Sequence, residues 1–128
     1  MAKILVVDDD PDMRLLLCIM LRERGHDVIE ASDGEECMEK IEATNPDLVF
    51  LDIMMPGMDG WEACKRIKEA KSRLPVFMIS IRKDEEDIRK SLEYAGAERH
   101  FTKPIDQDEL FGTVGDLLGD PGIDNPLR

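Results

Sequence analysis

Asp8, Asp9, Asp52, Ser80 and Lys103 each follow a short apolar run, and they carry the groups that phosphoryl transfer uses: carboxylates, a hydroxyl and an amine. The runs are Lys3-Ile4-Leu5-Val6-Val7, Leu48-Val49-Phe50-Leu51, Val76-Phe77-Met78-Ile79 and Phe101-Thr102. As parallel strands of one open sheet they would bring these residues together, because ligands gather outside the carboxyl ends of such strands. Asp52 stands alone at the end of its run and is followed by a Met54-Met55-Pro56-Gly57 turn, which makes it the candidate covalent acceptor. Asp8 and Asp9 are candidate ligands for Mg²⁺, a hard ion that takes oxygen donors and bridges carboxylates to phosphate oxygens. Lys103 as a point cation and Ser80 as a hydroxyl donor complete a cage for an oxygen of Asp52 attacking phosphorus in line. Each residue alone also has a plainer reading: a strand-capping carboxylate for Asp52, a strand exit at Lys103-Pro104, a solvated acidic loop at Asp8, Asp9, Asp10 and Asp12. Met54, Met55 and Met58 read as gap-fillers beside the site.

Five short β-like runs alternate with longer helical patterns. Strands are expected near 3–8, 27–31, 47–52, 75–80 and 99–102, and helices near 12–24, 34–43, 60–70, 84–95 and 106–118. Strands one, three and four are nearly unbroken apolar runs, as expected of parallel strands covered on both faces. Strand two, with Glu30 among Val28, Ile29 and Ala31, belongs at an edge. Met13, Leu16, Leu17, Met20 and Leu21 form one stripe on helix one, and Leu110, Val114, Leu117 and Leu118 another on helix five, each expected to pack on the sheet. Gly25, Asn45-Pro46, Pro75 and Gly96 punctuate these boundaries. Right-handed crossovers then give an α/β fold, a three-layer α/β/α sandwich.

The 128 residues suit one domain with a substantial core. That unit is expected over residues 1–118, with 119–128, rich in Gly, Pro, Asp and Asn, as a tail or the start of a linker. A net charge of -12, from 29 acids against 17 bases, argues against direct nucleic-acid binding and against an anionic membrane surface. Cys18, Cys37 and Cys64 lack CxxC spacing and are odd in number, and no apolar stretch approaches a membrane span. A soluble, cytoplasmic protein is expected.

With those residues laid out, the chain resembles the receiver domain of two-component response regulators over roughly residues 2–118. The resemblance rests on Val6-Val7-Asp8-Asp9, on Leu51-Asp52-Ile53-Met54-Met55-Pro56-Gly57-Met58-Asp59-Gly60, on Pro75-Val76-Phe77-Met78-Ile79-Ser80, and on Thr102-Lys103-Pro104, in that order. It implies a flavodoxin-like sheet of order 2-1-3-4-5 and a cis bond before Pro104. It also implies a signalling switch rather than a turnover enzyme: Asp52 accepts a phosphoryl group from a phosphohistidine of a sensor histidine kinase or phosphotransfer protein. Mg²⁺ would be held by Asp8, Asp9, Asp52 and the backbone carbonyl of Met54. Lys103 would contact phosphoryl oxygens, and Ser80 would move toward them. The face of helix four, strand five and helix five would then change to meet a downstream protein effector or a second copy of the chain.

Two positions depart from the commonest pattern: Ile81, where a small residue is usual and whose bulk would narrow access to Asp52 or change the phosphoryl lifetime, and His100, a polar ring at the aromatic switch position. The competing reading is a haloacid-dehalogenase-like Mg²⁺-dependent phosphohydrolase, built on the Asp8-x-Asp10 pair with Asp8 as nucleophile. That reading leaves Asp52 and its Pro-Gly turn unexplained, and Asp106 and Asp108 are wrongly spaced for its further acidic pair.

Overall fold

The computed structural model describes residues 2–118. The expected tail at 119–128 lies outside the described residues. Five parallel strands, β1 (Lys3–Val7), β2 (Asp27–Ala31), β3 (Leu48–Asp52), β4 (Val76–Ser80) and β5 (Arg99–Thr102), lie in the order β2-β1-β3-β4-β5. The helices are α1 (Pro11–Glu23), α2 (Gly34–Thr44), α3 (Gly60–Ala70), α4 (Glu85–Arg89) and α5 (Gln107–Leu118). The edge position expected for the second strand holds, as does the sheet order that the resemblance implied.

Alternation along each strand splits the core into two layers. Leu5, Val7, Val49, Leu51, Val76 and Met78 face one way and pack with Cys37 and Ile41 of α2 and with Ala63, Cys64 and Ile67 of α3. Ile4, Val6, Phe50, Phe77, Ile79 and Phe101 face the other way, against Leu17 and Leu21 of α1 and Leu110 and Val114 of α5. Phe50, Phe77 and Phe101 meet with ring centroids 5.4 to 6.4 Å apart, the closest pair edge to face. Truncating such a buried ring costs about 3–5 kcal/mol. The central strands are therefore stiff supports for whatever they present at their carboxyl ends. All three cysteines are buried free thiols, pushed up to about 11 or 12 chiefly by burial, so none is a ready nucleophile.

Three expectations need correction. Leu16 is half exposed, as are Leu15 and Ile19, and Cys18 fills the sheet side of α1 instead. The stripe is therefore only partly buried: Leu17, Met20 and Leu21 are covered, while Leu16 borders a small apolar pocket with Pro104 and Ile105. On α5, Leu117 is exposed and Phe111 takes the buried place, with the Arg24 guanidinium 4.1 Å from its ring centroid. The fourth helix does not run as one α-helix: after Arg89 it widens into a π-helical turn, Lys90–Tyr94. Among the described residues no helix is long and apolar enough to cross a membrane.

Candidate functional site at the carboxyl edge of the sheet

β1 stops at Val7, and the chain turns through Asp8, which is held on several sides. Its N–H donates to the Ala31 carbonyl at 3.2 Å, and its Oδ1 accepts from the Asp10 N–H at 2.9 Å. Arg14 Nη1 donates to the Asp8 carbonyl at 2.7 Å while its Nε pairs with Glu30 Oε1 at 3.1 Å. Asp9 is exposed at the mouth. Asp10 caps α1, accepting from the Asp12 N–H at 3.0 Å, and so turns its carboxylate to helix initiation. This local role separates it from the acids that converge.

Asp52 is the last residue of β3 and is buried. A carboxylate oxygen from each of Asp8, Asp9 and Asp52 lies within 4.8 Å of the others. Lys103, just after β5, puts Nζ 3.2 Å from Asp8 Oδ2 and 3.8 Å from Asp52 Oδ1. Its own N–H donates to the Ser80 carbonyl at 2.8 Å, and the peptide bond to Pro104 is cis. Ser80 ends β4, beside the strand that carries Asp52, and its hydroxyl accepts from the Arg82 N–H at 3.1 Å. Met54 N–H reaches Asp52 Oδ1 at 3.4 Å, a long contact. The five sequence-chosen polar residues thus come from four strand ends to one edge, as expected.

Burial, and then the charge of Asp8, push the Asp52 carboxyl up to about 7; Lys103 opposes this only in part, and a hydrogen bond with the Asp8 carboxyl adds to the rise. The clustered carboxylates of Asp8, Asp9 and Asp52 form a donor set that a divalent cation would satisfy. The ligands are all hard oxygens, as Mg²⁺ requires. The residues present fit that ion.

Sequence reasoning missed the supports. Gly60 opens α3 with its N–H on the Ile53 carbonyl at 2.7 Å, and a Cβ there would overlap the Asp52 backbone and sit 2.5 Å from Ile53 Cα. Its place in the Asp59-Gly60 pair was visible, but the contact that demands glycine was not. Arg14 carried no such signal. Ile81, next to Ser80, is 65% exposed. His100 is half-buried and hydrogen-bonded at both ring nitrogens.

A family model described as the response regulator receiver domain matches residues 4–115. The alkaline phosphatase synthesis transcriptional regulatory protein PhoP of Bacillus subtilis is 42% identical over 116 residues, covering 91% of this chain and 48% of that protein. The chain thus spans about half the length of that relative. Protein PilH of Pseudomonas aeruginosa is 36% identical over 120 residues, covering 92% of this chain and 98% of PilH. The crystal structure of the response regulator TrrA from Thermotoga maritima, in complex with Mg²⁺ and BeF, superposes with a TM-score of 0.83 at 36% identity, covering 92% of this chain and all of that one. With its sheet order, its acidic edge and these likenesses agreeing, the chain belongs to the response regulator receiver domain family, a family of signalling domains rather than turnover enzymes.

Proposed function

We propose that the chain is a phosphorylation-dependent switch in which Asp52 is the phosphoacceptor. The observation that carries this reading is the meeting of Asp8, Asp9 and Asp52 within 4.8 Å, with the Lys103 ammonium against two of them. An oxygen of Asp52 attacks the phosphorus of a phosphohistidine on a sensor kinase or phosphotransfer protein; the P–N bond breaks and its electron pair returns to the imidazole. Asp8, Asp9, Asp52 and the Met54 carbonyl would hold Mg²⁺, which supplies neutralisation for the incoming phosphoryl oxygens. Lys103 contacts those oxygens from the β5 side, and burial of Asp52 keeps competing water low in the cleft.

The acceptor gains charge and new acceptor oxygens in a cleft already rich in acids. The Ser80 hydroxyl then leaves the Arg82 N–H and donates to the phosphoryl group, and the face of α4, β5 and α5 changes for a downstream protein or a second copy. Leu15, Leu16 and Ile19 stay exposed on α1, which starts at the acidic exit, and give the donor protein an apolar surface beside the mouth. In this reading residues 1–118 are the receiver unit, acting in the cytoplasm where the kinase presents its phosphohistidine, and 119–128 a tail or linker.

The test is incubation with Mg²⁺ and acetyl phosphate, followed by mass mapping. A single acyl phosphate on Asp52, absent without Mg²⁺ and absent in Asp52→Asn, supports the reading. Modification on Asp8, or labelling of Asp52→Asn at the wild-type rate, overturns it.

A further inference from the structure

Of the three acids that converge, Asp8 and Asp52 are held by contacts of their own and Asp9 is not. Asp52 is buried at the end of β3, and Asp8 is fixed at its N–H, its carbonyl and both carboxylate oxygens, by Ala31, Arg14, Asp10 and Lys103 in turn. Asp9 is exposed, and among the described residues no group donates to its carboxylate. Its placement therefore comes through its backbone. The peptide that joins Asp8 to Asp9 is planar, so whatever holds the Asp8 carbonyl oxygen also sets the Asp9 N–H and Cα.

One side chain holds that oxygen. Arg14 Nη1 donates to it at 2.7 Å, while Nε of the same guanidinium pairs with Glu30 Oε1 at 3.1 Å. A rigid planar fork lets one side chain reach two oxygens at fixed angles, whereas a lysine ammonium is a point charge on a flexible stem. Glu30 is itself anchored: Arg22 Nη2 lies 3.6 Å from its other oxygen, and Lys40 Nζ donates to its carbonyl at 2.9 Å. The next residue, Ala31, takes the Asp8 N–H on its carbonyl. Both sides of Asp8 are thus tied to the last two residues of the edge strand β2, which contributes no acid to the cluster.

We propose that Arg14, braced by Glu30, is a positioning residue that fixes the Asp8-Asp9 peptide and thereby sets the preference of the acidic cluster for Mg²⁺ over larger divalent cations. This rests on the reading of Asp8, Asp9 and Asp52 as the Mg²⁺ ligands. Mg²⁺ demands near-ideal octahedral geometry at about 2.0–2.1 Å, whereas Ca²⁺ accepts irregular sets of oxygens at about 2.3–2.6 Å. Loosening Asp9 therefore harms the small ion far more than the large one. The charge of the guanidinium acts differently: it repels both ions alike, since they carry the same charge, so removing it favours both.

The experiment measures Mg²⁺ and Ca²⁺ affinities of the whole chain by calorimetry at pH 8.5. Arg14→Lys, which keeps the charge and loses the fork, should bind Mg²⁺ about 10-fold more weakly, the usual cost of a lost partner behind a metal ligand. Its Ca²⁺ affinity should stay within about 2-fold of wild type, because that ion tolerates a displaced oxygen. Glu30→Gln, on the edge strand, should move the Mg²⁺ to Ca²⁺ ratio in the same direction and stands in should Arg14→Lys fold poorly. The double variant should lose no more than Arg14→Lys alone, because both changes loosen one peptide. An unchanged ratio in these variants, whatever their melting temperatures, overturns the brace, and so does an equal loss for both ions. Wild-type Mg²⁺ binding that is absent, or that survives Asp9→Asn undiminished, overturns the ligand reading instead.

Discussion

Lys103 Nζ stands 3.8 Å from Asp52 Oδ1, yet the Asp52 carboxyl remains pushed up to about 7. The ammonium lies nearer Asp8, at 3.2 Å, and its attraction is shared between two carboxylates in a cleft where burial is the larger influence. The resting site is therefore one acid short of full ionisation near neutral pH, and the consequences are measurable.

Replacing the ammonium separates metal binding from phosphoryl transfer. In Lys103→Met at pH 8.5, where proton competition is small, Mg²⁺ should bind a few-fold more tightly because a competing cation is gone. Phosphorylation by acetyl phosphate should slow by about 100-fold, the usual cost of one lost contact to developing charge. Calorimetry and single-turnover labelling check the two halves, and parallel loss of both would argue against this division of roles.

Mg²⁺ binding should release a proton below pH 7. The cation needs the ionised carboxylate, whereas the free site keeps Asp52 protonated up to about 7. Calorimetry at pH 6 in buffers of different ionisation heat should show that proton, and at pH 8.5 it should vanish. Binding with no buffer dependence at pH 6 would contradict the raised carboxyl.

The same shift bears on stability. Asp52 is raised from 3.8 to about 7 by folding, so between those values the folded chain binds the proton and the unfolded chain does not. Its contribution is present below about pH 4 and is lost as pH rises to 7, on the order of a few kcal/mol in the metal-free protein. Asp52→Asn should flatten that decline and raise the melting temperature at pH 7.5 without Mg²⁺. A wild-type and variant difference that stays constant from pH 4 to 8 would count against the buried-carboxyl account.

Gly60→Ala should be among the costliest single-methyl additions in the chain. The new Cβ would overlap the backbone of Asp52 and Ile53, neither of which can yield as a flexible side chain does. A loss of about 2–4 kcal/mol in denaturant unfolding is expected, with slower Asp52 phosphorylation in the folded fraction because its peptide is displaced. Gly112→Ala, where a Cβ meets nothing within 4 Å, is the matched control and should be close to neutral.

Much of the site was legible because it depends on strand ends, which are local properties of sequence. Apolar runs at 4–7, 48–51 and 76–79 identify buried parallel strands, and whatever polar residue follows each run must emerge at the same sheet edge. The acids, Ser80 and Lys103 could therefore be grouped from types and order alone. Helix faces were less legible: periodicity found Leu17, Leu21, Leu110 and Val114, but it also assigned Leu16 and Leu117 to the core. A stripe states which residues are apolar, not which of them the neighbouring elements cover.

What the chain alone determined is the alternation of elements, their approximate limits and the identity of the acid, hydroxyl and amine at the strand ends, since each follows from short-range pattern and backbone preference. What only tertiary structure decided is the sharing of Lys103 between Asp8 and Asp52, the rise of the Asp52 carboxyl, the closeness of Gly60 to the Asp52 backbone, and the bridge that Arg14 makes from Glu30 to the Asp8 carbonyl. These depend on distances and burial between residues far apart along the chain, and only packing sets such distances.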